Sequence, residues 1–136
     1  MSSQKIILVI AILMIGCFLT SCQGQKANVS VDLGSSSLYS ERELKDAVET
    51  IQKEFAHLEG CTLHSLTYAG DERSLAEGSE ENGLAADYDE CAVFHSSFRT
   101  PKEPEGAWEV DTEYTWDWVL ARNDGRNWVI VGYGYG

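Results

Sequence analysis

SERELKDAVETIQKEFAHLEG, residues 40–60, decides the fold, because its pattern defines one long amphipathic helix with a face that must be covered. Ser40-Glu41-Arg42-Glu43 has the form of a capping box, in which the Ser40 hydroxyl accepts from the Glu43 backbone N–H and the Glu43 carboxylate accepts from that of Ser40. Tyr39 and Leu44 stand where a hydrophobic staple closes. Leu44, Ala47, Val48, Ile51, Phe55 and Leu58 recur at three- and four-residue steps, while Arg42, Glu43, Lys45, Asp46, Glu49 and Lys53 mostly take the other face. Gly60 is expected to end the helix. A stripe this wide is a core-packing surface, and the chain beyond Gly60 offers a sheet for it to cover.

After Gly60 the period changes to two. Cys61 to Tyr68 reads as a strand, and residues 70–89 form a long acidic insertion with a short helix around Arg73 to Glu77. Cys91 to Phe98 is a second strand, with Ala92, Phe94 and Phe98 on one side and Cys91, Val93 and His95 on the other. Pro101 and Pro104 interrupt regular structure beyond that strand. Tyr114, Trp116, Trp118 and Leu120 then alternate with Thr115, Asp117, Val119 and Ala121. Asn123-Asp124-Gly125 is a hairpin turn, and Trp128 to Val131 pairs back. The expected fold is α+β, an N-terminal helix packed on one face of an antiparallel sheet of about four strands. A helix wrapped by a curved sheet, as in cystatin-like or nuclear-transport-factor-like cones, is one version.

Upstream, Lys5 precedes an apolar run from Ile6 to Phe18, too short for the roughly 20 residues of a membrane span. The run exits through Leu19-Thr20-Ser21-Cys22, which resembles a bacterial lipobox. Residues 1–21 are therefore expected to be a lipoprotein signal peptide, with Cys22 acylated and becoming the first mature residue. Cys17 suits the motif less well. Two or more acyl chains anchor stably where one does not, which places the protein on the extracytoplasmic face of a bacterial cell membrane. Residues 22–37 are polar and small, ending in Gly34-Ser35-Ser36-Ser37, and read as a flexible tether with a reach of roughly 20 Å. Residues 38–136 are left as a single domain, enough for one core.

Removing Lys5 with the signal leaves nine basic residues against twenty-two acidic ones, a formal charge of −13. Phosphate backbones and anionic lipid surfaces are bound mainly by lysine and arginine, so nucleic acid is excluded as a partner and polybasic membrane docking is disfavoured. The same charge favours a soluble monomer.

Tyr39-Ser40, Gly60-Cys61-Thr62-Leu63, Leu66, Tyr68, Ser97-Phe98, Trp116-Asp117-Trp118, Leu120, Arg122, Trp128 and Gly132-Tyr133 give the chain a family resemblance. It resembles uncharacterised small exported or lipid-anchored α+β domains of Gram-positive bacteria, over most of the region from Tyr39 onward. The resemblance carries no catalytic residue. It implies that the tryptophans and the glycine-tyrosine end belong to the frame of the domain.

Cys61-x-x-His64 and Cys91-x-x-x-His95 supply the ligand types of a structural zinc site. Residues three apart on a strand point to opposite faces, so Cys61 and His64 do not reach one ion and no metal is expected. A disulfide between Cys61 and Cys91 suits an exported chain and would add roughly 3 to 4 kcal/mol by closing about 30 residues. Two separate buried thiols suit the same residues. Asp87-x-Asp89 begins like a calcium loop but meets Cys91, Ala92 and Phe98 where such a loop needs a ligand, glycine and glutamate. No nucleophile elbow, zinc-protease helix or phosphate-binding loop occurs, so neither catalytic residues nor a cofactor is expected. Trp116, Trp118 and Trp128 are the candidate ligand-stacking face, with core packing as their ordinary role. The expected function is therefore a lipid-anchored, non-catalytic module that binds an envelope protein, peptide or glycan. A small hydrolase or isomerase with a carboxylate beside His64 or His95, and a purely structural envelope component, are the alternatives.

Overall fold

A computed structural model describes residues 28–135. The expected signal peptide and Cys22 lie outside the described residues. The elements run β1 (Ser30–Asp32), α1 (Glu41–Phe55), β2 (Thr62–Tyr68), α2 (Asp71–Ser79), β3 (Glu90–Arg99), β4 (Glu113–Arg122) and β5 (Val129–Gly134). The strands form one sheet in sequential order, β1-β2-β3-β4-β5.

The α+β class holds, but the sheet has five strands and is mixed. β1 runs parallel to β2, with Val31 beside Leu66, whereas the other three pairings are antiparallel. A parallel pair needs a crossover, and α1 supplies it, so the helix is not the first element of the fold. Three residues of the expected tether thus belong to the sheet. Ser30-Val31-Asp32 is too short and too exposed on both faces to show a strand period.

The start of α1 follows its sequence closely. Ser40 Oγ accepts from Glu43 N at 3.2 Å, and Ser40 N donates to Glu43 Oε2 at 2.7 Å. The helix stops at Phe55, short of Gly60, and the intervening turns tighten through His57 N to Glu54 O at 3.0 Å and Leu58 N to Phe55 O at 2.9 Å. Gly60 then turns the chain into β2 at φ +76°, where an added Cβ would meet Pro101 Cγ at 2.9 Å.

Leu44, Ala47, Val48, Ile51 and Phe55 cover one sheet face, packing with Leu66, Phe94, Phe98, Trp118 and Leu120. The second face is covered in part. There Ala85, Cys91, Val93, Val119 and Ala121 make a smaller core under α2 and residues 84–88. Ser74 Oγ, from α2, accepts from Val93 N at 3.0 Å and locks the helix to β3. Asp71 ties α2 to the segment before α1, accepting from Ser36 Oγ at 2.6 Å, Ser37 N at 2.8 Å and Tyr68 Oη at 2.8 Å. Those bonds, the Ser36 hydroxyl foremost, hold its carboxyl down at about 2.

Candidate functional site

Two surfaces are left uncovered by the helices, one on each face of β3 and β4. On the second face, below α2, the strand register sets His95 directly opposite Asp117 and Ser97 opposite both Thr115 and Ser65. His95 Nδ1 hydrogen-bonds Asp117 Oδ1, and Ser65 Oγ lies 2.5 Å from Ser97 Oγ. With Nδ1 donating to the carboxylate, Nε2 is the basic nitrogen. Arg73 of α2 reaches down to 3.9 Å from the other Asp117 oxygen while bonding Glu77 at 2.6 Å. Ser65, Thr67, His95, Ser97, Thr115 and Asp117 line an open concavity of about 460 Å³. Further along the strands, His64 Nδ1 stands 3.9 Å from Glu113, and Arg99 bonds Asp111 at 2.7 Å and Glu113 at 3.4 Å.

The first face carries the aromatic residues, and α1 covers only part of them. Trp118 is fully buried and Trp128 is 5% exposed, so these two members of the candidate stacking face take their ordinary role in the core. Trp128 is also a clamp. Its Nε1 donates to Glu43 O at 3.0 Å, and the Arg122 guanidinium lies 4.2 Å from its ring centroid, ion-paired to Glu43 and Glu90. Trp116 lies beyond Trp118 at the edge of the first core, its ring 5.0 Å from that of Phe98. It packs with Trp108 at 5.4 Å and stacks on Tyr133 at 5.1 Å, and Tyr114 meets Trp108 at 5.2 Å and Tyr135 at 6.2 Å. Its Nε1 is buried without a hydrogen-bond partner. Tyr133 is 48% exposed and Tyr135 76% exposed, so the cluster ends in an open aromatic ledge.

Trp108 reaches this cluster because residues 100–112 fold back on themselves. Thr100 Oγ1 donates to Glu109 O at 2.6 Å and accepts from Thr112 N at 2.9 Å. Glu109 N donates to Tyr114 Oη at 3.4 Å, which brings an acidic residue to the rim. Desolvation raises the Tyr135 phenol, as do Tyr114 and the charge of Glu109.

Cys61 and Cys91 are free thiols, the second of the two arrangements open to them. Cys61 precedes β2, next to the Thr62–Arg99 pair, whereas Cys91 stands eight residues from Arg99 at the far end of β3, about 26 Å away by strand rise. They also belong to different cores, Cys61 beside the first and Cys91 within the second. A disulfide requires Cα atoms within about 7 Å. Burial pushes the Cys91 thiol up to about 11. Among the described residues no three His, Cys, Asp or Glu side chains converge as metal ligands. No helix among them is long and apolar enough to cross a membrane.

No protein-family model, curated protein or solved structure is significantly similar to the chain.

Proposed function

We propose that the chain is a lipid-anchored binding module without catalytic activity of its own, tethered through acyl chains on Cys22 at the extracytoplasmic face of a bacterial membrane. Its partner is an envelope protein, peptide or glycan engaged at the aromatic end of the sheet. The observation that supports this most is the ledge itself: Tyr133 and Tyr135 stand open on half-buried Trp108, Tyr114 and Trp116, where a purely structural component would have no reason to keep them bare. Rings of this kind seat sugar faces, apolar side chains and cations alike.

Two experiments test the two halves of this role. Cys22→Ser in the full chain is expected to abolish acyl labelling and move the protein out of the membrane fraction; retention of the label at another residue would refute the anchor. A glycan array and peptide array probed with the full chain in detergent are expected to give binders that Tyr135→Ala weakens. Silence on both arrays would refute the binding role.

His95–Asp117 supports a second role, a small hydrolase or isomerase, because a carboxylate-held imidazole facing an open concavity is the arrangement of a general base. Against it, the nearest paired hydroxyls, Ser65 and Ser97, are engaged with each other. The concavity also lacks the enclosing walls of a cone-like pocket. Turnover of a p-nitrophenyl ester that His95→Ala abolishes would favour this second role over the first.

A further inference from the structure

The opposite borders of the sheet are not alike. β1 is three residues long, a length that limits strand addition, whereas β5 presents six residues and pairs only with β4. Among the described residues, no hydrogen bond engages the outward backbone groups of β5. Sheet edges are ordinarily protected by lysine, proline, a bulge or a covering element, and of these β5 has a single bulge, at Val131, where its register with β4 shifts. From Trp128 to Tyr135 there is neither a charged residue nor a proline, in a chain that carries a net charge of −12.

Space is reserved beside this edge. A groove of about 480 Å³ runs between Val129–Tyr133 and the flank of α1 at Thr50, Lys53, Glu54 and His57. At the Tyr133 end it opens onto the Tyr133–Tyr135 ledge, where Glu109 makes no ion pair among the described residues.

We infer that the β5 edge takes up an extended peptide as a sixth strand, with a lysine or arginine of that peptide seated on the Tyr133 and Tyr135 rings beside Glu109. This deepens the binding role proposed above and depends on it. Backbone pairing along an open edge supplies affinity independent of sequence, and alternate side chains entering the groove supply selectivity. A cation over exposed rings with a carboxylate at the rim is the match for the ledge. A second copy of the chain is disfavoured as occupant, because two bodies of charge −12 repel.

The test uses the full chain in detergent micelles and an array of random capped octapeptides, from which the tightest binder is resynthesised with a fluorescent label. The expected binders carry a lysine or arginine near one end, and glutamate at that position weakens binding at least about ten-fold. Strand pairing uses alternate peptide amides. N-methylation of one alternate set is therefore expected to abolish binding, while N-methylation of the other set preserves it. Tyr135→Ala is expected to weaken the labelled peptide about five-fold without moving the thermal midpoint. Binders that tolerate both N-methyl patterns, or glutamate in place of the cation, would overturn the sixth-strand inference while leaving the ledge as a binding site. Sedimentation showing a dimer that excludes the peptide would assign the edge to a second copy and overturn it too. Absence of any peptide binder, with a glycan hit weakened by Tyr135→Ala, would overturn the inference alone; absence of both would overturn the binding role with it.

Discussion

Replacing Arg122 with methionine should cost the domain about 3 kcal/mol, and the structure allows that figure to be built up. The guanidinium side chain is 5% exposed, bonds Glu43 at 2.6 Å and Glu90 at 2.7 Å, and lies 4.2 Å from the Trp128 ring centroid. The full penalty for orphaning a buried charge does not apply, because Glu43 and Glu90 are 37% and 33% exposed and stay hydrated once the guanidinium is gone. Each screened, charge-assisted bond contributes about 1 kcal/mol, and a desolvated cation over tryptophan contributes about another 1 kcal/mol. Loss of about 3 kcal/mol corresponds to a midpoint lowered by roughly 12–20 °C. Urea unfolding of the full chain in detergent, followed by tryptophan fluorescence, measures it. Arg122→Lys keeps a point charge without the planar fork and should lose about half as much. The comparison is also pH-dependent. The backbone N–H of Ser40 first, and then Arg122, holds Glu43 below its ordinary value of 4.5. Stability from a depressed carboxyl is present above the unfolded value and fades as pH falls through the folded one. The gap between wild type and Arg122→Met should accordingly narrow below about pH 4. A methionine variant within about 1 kcal/mol of wild type at pH 7 would refute the reasoning, because the clamp would then contribute no more than a surface pair.

Gly60→Ala forces a side chain into a left-handed position and against the Pro101 ring, so about 2 kcal/mol of stability should be lost, read from the same unfolding curve. An unchanged midpoint would mean that the turn relaxes freely. Asp71→Asn removes the anion that binds Ser36, Ser37 and Tyr68, and the wild-type advantage in midpoint should be complete above about pH 4 and disappear as pH falls towards 2. An advantage that persists at pH 2 would contradict the assignment. In the native protein at pH 8, iodoacetamide should label half-buried Cys61 before buried Cys91, and denaturant should make both reactive. Recovery of a Cys61–Cys91 disulfide peptide from native protein by mass spectrometry would contradict their placement on separate faces.

Elements with strong local signals were legible from the chain. The capping box, the α1 stripe and the β4 alternation each depend on neighbours within a few residues, and each stands where its pattern predicts. β1 was not legible, because Ser30-Val31-Asp32 pairs with residues 65–67, beyond an intervening helix, and three exposed residues carry no period. The α1 terminus was misjudged at Gly60, since a 3₁₀-like exit after Phe55 uses the same apolar Leu58 that a longer helix would. The cysteine bridge depended on distance, and spacing in the chain does not report which core each thiol enters.

The site was legible by face and illegible by register. The alternation of residues 91–98 and 114–121 already puts His95 and Asp117 on the faces opposite their aromatic neighbours. That they stand directly across from each other follows from the pairing of Phe94 with Trp118, and residues 100–112 separate those strands by too long an excursion for a turn type to set the register. The same excursion delivers Trp108 to the ledge, so one loop decides both surfaces. Its folding back through Thr100 holds Trp108 against Trp116 and Tyr114, and with Trp108 in place the aromatic stripe continues past the end of α1. A stripe that stopped at Trp118 would be core throughout. Because it runs on to Tyr133 and Tyr135, apolar surface stays exposed beside the outer edge of β5, and the proposed extended partner rests on that juxtaposition.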